Sequence, residues 1–338
     1  MSVDFLPERL PANPVKKPLH PTLRLLRQLC IGAACVVLSA FFFGPLVFFI
    51  GMTWPVRYHD SLTYSPMQEV YTPEECGITA RDVTLMTADG LRLWASLVET
   101  EKPRGIAIFM SGVRQPSVTY YYAHAAWLQR QGYASLLLEL RGHGRSQGNR
   151  VGMGFTETED VRTAAEYIRS LPGYEELPIL LHGVSMGGSV AINAFSAMPE
   201  LSGMVAESAY SSVSHLVRDT FRRYGAPEWF VSLEGRVVDA TLYLIYGEAV
   251  ETRNPIDLIG SIDRPMMLIA SDGDPVVPVE NACRLLHAAG PACRLWIREG
   301  DDHFIVRDNN IFRMEEDEEY CARLLDFYNS VCPGQGTP

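Results

Sequence analysis

The sequence predicts an α/β protein whose mostly parallel central sheet is covered by helices on both faces, preceded by one N-terminal transmembrane helix. Two observations support this prediction. From residue 105 to residue 298, short apolar runs of strand length alternate with helical segments, as is typical of a parallel sheet buried on both faces. From residue 29 to residue 52 the chain has no charged side chain, a length sufficient to cross the hydrocarbon core of a bilayer.

The elements follow one another in an order that fits this fold. Residues 78–87 and 91–100 are two β-like runs joined at Asp89-Gly90, which is a hairpin signal. Further strands are predicted at 105–109, 133–140, 177–182, 202–207, 265–270 and 293–297, and helices at 119–131, 157–170, 188–194 and 279–289. No internal repeat and no low-complexity block interrupts the pattern.

The most informative motif is Gly183-Val184-Ser185-Met186-Gly187. It stands between an apolar strand and a helix of small residues, which is the context in which a G-x-S-x-G pentapeptide indicates a nucleophile. The sharp turn exposes the serine hydroxyl, and the flanking glycines let the strand and the helix approach each other. We therefore predict Ser185 as the nucleophile; the alternative is a plain strand–helix turn.

A serine nucleophile on such a turn is followed in the chain by an acid and then by a histidine. Three histidines lie downstream. His215 comes early in this order, and His287 lies in an amphipathic helix, whereas His303 stands in a polar turn directly after a strand. His303 is therefore the predicted base, and the alternative for it is a surface loop histidine.

The predicted acid is Asp274, which lies in a loop after the strand 265–270. A carboxylate there can accept the imidazole N–H and stabilise the imidazolium. Asp272 is a rival two residues away, and Glu207, at the end of the preceding strand, is a third candidate. A turn-forming or helix-capping role is the alternative for Asp274 and Asp272.

Over residues 78–330 the chain resembles an α/β-hydrolase of the serine aminopeptidase (S33) and monoglyceride-lipase-like branch. The matching pieces are Gly183–Gly188, Asp274-x-x-Val277-Pro278, Gly300-x-x-His303-Phe304 and Glu139-Leu140-Arg141-Gly142-His143-Gly144-Arg145-Ser146. The last piece resembles the D-x-R-G-x-G-x-S loop of the branch, with Glu139 in place of the usual Asp. These motifs are specific for the superfamily and do not select one substrate.

The resemblance implies an oxyanion hole made of backbone N–H groups. One belongs to the residue after the nucleophile, Met186, and the other to the loop 110–114, where Val113 is the candidate. Two such donors stabilise a developing oxyanion by several kcal/mol, about 2.7–4 for each. The loop has Ser111-Gly112 where His-Gly is common. Arg114 is either an anchor for an anionic group of the substrate or an exposed loop arginine.

Residues 209–260 are too long for a simple loop, and the resemblance implies a small helical cap over the site. Its aromatic residues are Trp229, Phe230, Tyr243 and Tyr246. Either they form an apolar acyl pocket or they hold the cap in place. The same two alternatives apply to Tyr120-Tyr121-Tyr122 near the oxyanion loop.

The predicted organisation begins with a basic cytoplasmic tail, and a small flexible tail ends it. The segments are 1–28 (tail), 29–52 (transmembrane helix), 53–77 (linker), 78–332 (hydrolase domain) and 333–338 (flexible tail). Five basic residues precede the apolar segment, whereas Arg57 alone follows it before Arg81. This bias predicts a cell-membrane protein with a cytoplasmic N-terminus and an extracytoplasmic hydrolase domain. The alternative for 29–52 is a buried core helix.

Composition narrows the class of function. The net charge of −11 disfavours a nucleic-acid partner. No Cys/His spacing predicts a metal site, and no glycine-rich loop fits a nucleotide, so we expect no cofactor. Five of the seven cysteines lie outside the apolar segment, and this odd number predicts at least one that is free or intermolecular. The oligomeric state is not predicted.

The sequence therefore predicts a membrane-anchored serine hydrolase that cleaves an ester-type, small-molecule or lipid-like acyl substrate through an acyl-enzyme. One alternative is an aminopeptidase or another amide or thioester hydrolase of the same fold. The other is a catalytically idle, membrane-tethered binding module that keeps the fold.

Overall fold

The protein is described by a computed structural model that covers residues 20–57 and 70–333. Within those ranges the strands are Val56–Arg57 (β1), Arg81–Met86 (β2), Arg92–Val98 (β3), Ile106–Met110 (β4), Ala134–Leu138 (β5), His143–Gly144 (β6), Ile179–Val184 (β7), Gly203–Glu207 (β8), Met266–Ser271 (β9) and Cys293–Arg298 (β10). The helices are Pro21–Met52 (α1), Tyr122–Arg130 (α2), Thr158–Arg169 (α3), Met186–Ala197 (α4), Val213–Arg223 (α5), Glu228–Tyr246 (α6), Ala249–Thr252 (α7), Pro255–Leu258 (α8), Glu280–Ala288 (α9) and Glu318–Val331 (α10).

Eight strands form the central sheet in the order β10-β9-β8-β7-β4-β5-β3-β2. Strand β3 runs antiparallel to both of its neighbours, and the other pairs are parallel. The order along the chain reverses at β4, which lies between β5 and β7. In open α/β sheets, ligands bind outside the carboxyl ends of the strands at such a switch point. A ligand site is therefore expected at the loops after β4 and β7.

The sheet is buried on both faces, as the continuous apolar runs predict. Along β4, Ile106 and Ile108 belong to one apolar core, and Ala107 and Phe109 belong to the other. This alternation follows from the two-residue period of a strand. Helices α3 and α4 contribute to the first core, and α2 and α10 contribute to the second. The predicted α/β class, with helices on both faces, is confirmed.

The insertion between β8 and β9 is helical, as the resemblance implies. Helices α5 to α8 lie there, with a short 3-10 helix at Ile259–Ser261. Helices α5 and α6 pack against each other through the edge-to-face rings of Phe221 and Phe230, whose centroids are 5.3 Å apart. Asn193 of α4 donates its side-chain N–H to the carbonyl of Arg253 over 2.9 Å. The cap is thereby tied to the helix that follows the candidate nucleophile.

In the described part of the chain, helix α1 is long and apolar enough to cross a membrane. It begins at Pro21, eight residues before the predicted start at 29. Its most apolar 18-residue window has a mean hydropathy of 2.4. At about 1.5 Å per residue, its 32 residues span about 48 Å. The helix therefore exceeds the ~30 Å of a bilayer core.

The linker predicted at 53–77 is not a free spacer at either of its ends. Phe49, in the last turns of α1, is 2% exposed and packs in the apolar core of the hydrolase domain. The carbonyl of Thr53 accepts the N–H of Val151 over 2.8 Å. Strand β1 pairs in parallel with β6, with Val56 opposite His143.

At the other end of the predicted linker, a 3-10 helix forms at Pro73–Cys76. Residues 58–69 lie outside the described residues, as do 1–19 and the tail 334–338. The predicted linker 53–77 is therefore structured at Val56–Arg57 and at Pro73–Cys76. The sequence does not predict β1 because a strand of two residues has no periodicity of its own.

Candidate active site

Ser185 lies on the sharp turn between β7 and α4, with φ 56° and ψ −118°. A non-glycine residue at positive φ is strained and is retained only where its surroundings enforce it. Its N–H donates to the carbonyl of Glu207 over 2.8 Å, and its own carbonyl accepts the N–H of Ser189 over 3.1 Å. The strand–turn–helix geometry that the sequence predicts for a nucleophile is present at this serine.

Two glycines make this turn sterically possible. A Cβ atom on Gly183 would overlap the carbonyl of Gly187, and one on Gly187 would overlap the carbonyl of Met110. The second overlap arises because the turn lies against the end of β4. The motif therefore needs glycine at these two positions for close packing.

His303 and Asp274 form a buried pair. The Nδ1 atom of His303 lies 2.8 Å from Oδ2 and 3.1 Å from Oδ1 of Asp274. The side chains are 6% and 1% exposed, respectively. Asp274 Oδ1 also accepts the N–H groups of Val276 and Val277 over 2.8 and 3.0 Å. These donors fix the carboxylate so that it receives Nδ1–H, which leaves Nε2 as the acceptor for a proton.

The loop that carries His303 is tied to the turn that carries Ser185. The hydroxyl of Ser208 donates to the carbonyl of His303 over 2.7 Å. The preceding residue, Glu207, accepts the N–H of Ser185. Ser185 and His303 are therefore each hydrogen-bonded to one of two consecutive residues at the end of β8. This shared support brings the predicted nucleophile and the predicted base to one edge of the sheet.

Asp272, the rival acid, has a different role. Its side chain is exposed, and its Oδ1 accepts the N–H of Gly300 over 2.9 Å. The N–H of the following residue, Gly273, donates to the carbonyl of Gly300 over 2.8 Å. Asp272 therefore stabilises the contact between two loops, as expected for a turn residue.

Glu207, the third candidate, is fully buried on the face of the sheet that α2 and α10 cover. Its Oε1 accepts the hydroxyl of Tyr320 over 2.6 Å and lies 3.0 Å from Nε2 of His182. The network continues from Tyr320 to Nε2 of His124 over 2.8 Å, and burial holds the pKa of His124 well below its ordinary value. His124 and His182, the two histidines of this network, are not predicted from the sequence. The signal was a polar residue, His182, inside an otherwise apolar strand.

The other two downstream histidines lie on helices α5 and α9. His287 is exposed on α9. His215, on α5, contacts the hydroxyl of Ser211 over 3.1 Å and lines a cavity of about 470 Å³ between the cap helices. Burial lowers the pKa of His215.

The loop after β4 lies against the nucleophile. A Cβ atom on Gly112 would stand 3.2 Å from Cβ and 3.8 Å from Oγ of Ser185. Met186 is the first residue of α4, so its N–H is one of the unpaired donors at a helix N-terminus. Val113 follows Gly112 in a turn and is half-buried. Both predicted oxyanion donors are thus on segments that adjoin Ser185.

Arg114 adopts φ 63°, and its guanidinium donates to the carbonyl of Trp54 over 3.3 Å. It therefore contacts the segment that follows α1. The aromatic run at 120–122 is buried: Tyr121 packs on Phe109 with ring centroids 4.6 Å apart. This run therefore belongs to the apolar core to which α2 and α10 contribute.

The four aromatic residues of the cap divide into two pairs. Trp229 and Tyr243 are 70% and 48% exposed. Phe230 packs within the cap, and the hydroxyl of Tyr246 donates to the carbonyl of Val151 over 3.1 Å. Phe230 and Tyr246 thus hold the cap together and in place, as one of the two alternatives predicted. Within the described ranges, no group of three or more His, Cys, Asp or Glu side chains is arranged to hold a metal ion.

Comparison with known proteins also indicates the α/β-hydrolase fold. Residues 101–249 match the family described as serine aminopeptidase, S33. The protein bem46 of Schizosaccharomyces pombe is 24% identical over 263 residues, which are 72% of this chain and 79% of that protein. The uncharacterised protein YqkD of Bacillus subtilis is 25% identical over 53% of this chain and 58% of its own length.

Solved structures share the fold. The esterase Pf2001 of Pyrococcus furiosus superposes with a TM-score of 0.61 at 22% identity and covers 83% of this chain and 98% of that one. The α/β hydrolase GrgF of Penicillium sp. sh18 gives a TM-score of 0.59 at 20% identity over 76% of this chain and 100% of that one. The chain therefore has the α/β-hydrolase fold, and residues 101–249 are similar to the serine aminopeptidase family S33.

Proposed function

We propose that the protein is a membrane-anchored serine hydrolase that cleaves an ester-type acyl substrate through an acyl-enzyme. The single observation that supports it best is the buried His303–Asp274 pair on a loop tied to the turn of Ser185. A buried imidazole with one nitrogen bound by a fixed carboxylate is the arrangement that general-base activation of a serine requires.

In the proposed reaction, Ser185 Oγ attacks the acyl carbonyl carbon while its proton passes to Nε2 of His303. Asp274 holds Nδ1–H and stabilises the imidazolium. The N–H groups of Met186 and Val113 bind the oxyanion. The alcohol leaves with the proton from His303, and a water molecule, activated in the same way, releases the acid and restores the serine.

The membrane location is the second part of the proposal. Helix α1 is the candidate span, and the excess of basic residues on its N-terminal side favours a cytoplasmic N-terminus with the hydrolase domain outside the cytoplasm. Residues 53–57 pack on the hydrolase domain and α1 ends at Met52, so a membrane span at α1 would tether the domain close to the membrane. Proximity raises the local concentration of lipophilic acyl substrates without any new contact.

A panel of p-nitrophenyl esters from acetyl to dodecanoyl tests the proposal on the full chain in detergent. Each methylene buried in an apolar site contributes about 0.8 kcal/mol, so kcat/KM is expected to rise from acetyl to medium-chain esters. Ser185→Ala should abolish the hydrolysis, whereas Ser196→Ala is the matched control, because Ser196 is a half-buried serine near the end of α4 whose hydroxyl contacts that of Ser261. No hydrolysis of any ester by the wild-type chain would favour the idle binding module.

An aminopeptidase is a second candidate because the cavity between the cap helices offers carboxylates. Asp239, Glu251 and Asp257 line this cavity, and a carboxylate is the group that would bind an N-terminal ammonium. Asp239 is ion-paired with Arg218 over 2.6 Å, which reduces the negative charge that it offers. Aminoacyl p-nitroanilides distinguish the two candidates: cleavage of these amides with kcat/KM above that of every ester would replace esterase by aminopeptidase.

A further inference from the structure

The loop that follows β10 and carries His303 is anchored by side chains rather than by main-chain hydrogen bonds. Within the residues that the structure describes, the main chain of 301–303 makes no hydrogen bond to another main-chain group. Two serine hydroxyls supply donors to its carbonyls instead. Ser208 donates to the carbonyl of His303 over 2.7 Å. Ser271 donates to the carbonyl of the preceding residue, Asp302, over 2.6 Å.

The two serines lie at the ends of neighbouring parallel strands, β8 and β9. Ser208 directly follows Glu207, whose carbonyl accepts the N–H of Ser185. Ser271 is the last residue of β9 and is fully buried, and the loop after it carries Asp274. The main chain of the predicted base is therefore held by the strand end that supports the predicted nucleophile and by the strand end that leads to the predicted acid.

Ser208 is held in a strained backbone conformation. Its φ is 45°, a region that glycine adopts freely and that other residues adopt at a cost. Its N–H donates to the carbonyl of Ile269 over 2.8 Å, and its side chain is 2% exposed. Strained residues persist only where their surroundings enforce them, and they concentrate at functional sites. The hydroxyl bond to His303 is a contact that glycine could not make at this position.

The position of an imidazole decides whether it can act as a general base. The base must lie within hydrogen-bond distance of the hydroxyl that it deprotonates, and a displacement of about 1 Å lowers the rate about 100-fold. Asp274 binds the ring of His303 at Nδ1, which orients the ring but leaves the main chain of its loop to other anchors.

We propose that Ser208 and Ser271 are positioning residues, whose hydroxyls hold the main chain of His303 so that its imidazole can take the proton of Ser185. This role rests on the proposed function, because it concerns the base of that reaction. Neither hydroxyl takes part in a bond that forms or breaks.

Ser208→Gly and Ser208→Ala together separate this role from a merely structural one. Both variants remove the hydroxyl, but only glycine also relieves the strained φ. The Tm of Ser208→Gly should therefore equal or exceed that of Ser208→Ala. Both variants should lower kcat for one p-nitrophenyl ester by about tenfold or more, with KM within about threefold of the wild type. Recovery of the wild-type kcat in Ser208→Gly would overturn the proposal.

Ser271→Ala should lower kcat in the same way, and Ser146→Ala is the matched control. Ser146 is a fully buried serine whose hydroxyl donates to the carbonyl of Glu139 over 2.5 Å. It lies in the loop after β5, which β4 and β7 separate from β8 in the sheet. Ser146→Ala should lower Tm but keep kcat within about twofold of the wild type. An equal fall of kcat in this control would show a general effect of destabilisation and overturn the proposal.

Hydrogen–deuterium exchange of the full-length chain measures the anchoring without any substrate. In the peptide 299–306, the N–H of Gly300 donates to the side chain of Asp272, and the N–H of Phe304 donates to that of Asn309. These amides exchange slowly only while the loop is held in place, because exchange requires local opening.

Ser208→Gly and Ser271→Ala should each raise the exchange rate of this peptide by about tenfold, whereas Ser146→Ala should leave it unchanged. Unchanged exchange in both of the first two variants would overturn the proposal. A wild-type chain that hydrolyses no ester would contradict the proposed function instead, and the exchange rates would then still decide whether the two hydroxyls anchor the loop.

Discussion

Nδ1 of His303 lies 2.8 Å from Oδ2 of Asp274, and both side chains are buried. Of the two neighbouring carboxylates, Asp274 contacts the imidazole, whereas Asp272 is exposed and accepts the backbone N–H of Gly300. The sequence places these acids two residues apart in one polar loop. Only their side-chain directions separate them.

Replacement of each acid by asparagine separates their roles in turnover. Asp274→Asn should lower kcat by about 10⁴-fold because an amide favours the wrong imidazole tautomer. Asp272→Asn should lower kcat by less than about tenfold, since it removes only a loop contact. Steady-state kinetics on one ester measures both variants, and a larger loss at position 272 would reverse the assignment.

Glu139 predicts a pH dependence of stability. Burial raises the pKa of this carboxyl from 4.5 to about 7, although it accepts the Ser117 hydroxyl and the N–H of Arg145, each over 2.5 Å. Between pH 4.5 and 7 the native state therefore holds a proton that the unfolded chain releases. Its contribution to stability is present below this window and is lost as the pH rises through it.

Glu139→Gln removes this titration. Relative to the wild type, the variant should gain at least about 1 kcal/mol in free energy of unfolding between pH 5 and pH 8. Chemical denaturation of both proteins at the two pH values measures the difference. Parallel stabilities at both pH values would show that Glu139 has an ordinary pKa.

The end of α1 offers a matched pair of phenylalanines. Phe49 is 2% exposed in the hydrolase core, and its neighbour Phe48 is 57% exposed. Phe49→Ala should lower the free energy of unfolding by about 3–5 kcal/mol, and Phe48→Ala by less than about 0.5 kcal/mol. Thermal unfolding in detergent compares them. Equal shifts in Tm would mean that Phe49 does not pack in the hydrolase core.

Topology is tested by reporter fusions after residue 60. The five-to-one excess of basic residues before the apolar segment predicts activity of an alkaline phosphatase fusion, which needs export, and no fluorescence from a reporter that folds only in the cytoplasm. Replacement of Arg24 and Arg27 by glutamate should reduce correct insertion. Cytoplasmic activity alone would contradict the predicted orientation.

Local patterns predict the fold of this chain well. The hairpin at Asp89-Gly90 joins β2 and β3 as expected, and the turn at Ser185 adopts its strained geometry because the glycines that permit it are adjacent in sequence. Periodicity and turn chemistry are short-range properties, so one sequence suffices to read them.

Contacts between distant segments are not predicted in this way. The pairing of Val56 with His143 joins two strands of two residues each, and neither strand has a period of its own. The network of His182, Glu207 and Tyr320 assembles three separate elements on one face of the sheet. Such arrangements depend on tertiary packing, which overrides local propensity.

The central proposal is that Ser185 is an activated nucleophile. The most direct measurement is covalent labelling of the full-length chain with a fluorophosphonate, followed by mass spectrometry of the modified peptide. The adduct should lie on Ser185, labelling should vanish in Ser185→Ala, and it should slow strongly in a His303→Ala variant, because the serine is then no longer deprotonated. Labelling of Ser185→Ala at the wild-type rate, or no labelling of the wild-type chain, would contradict the proposal.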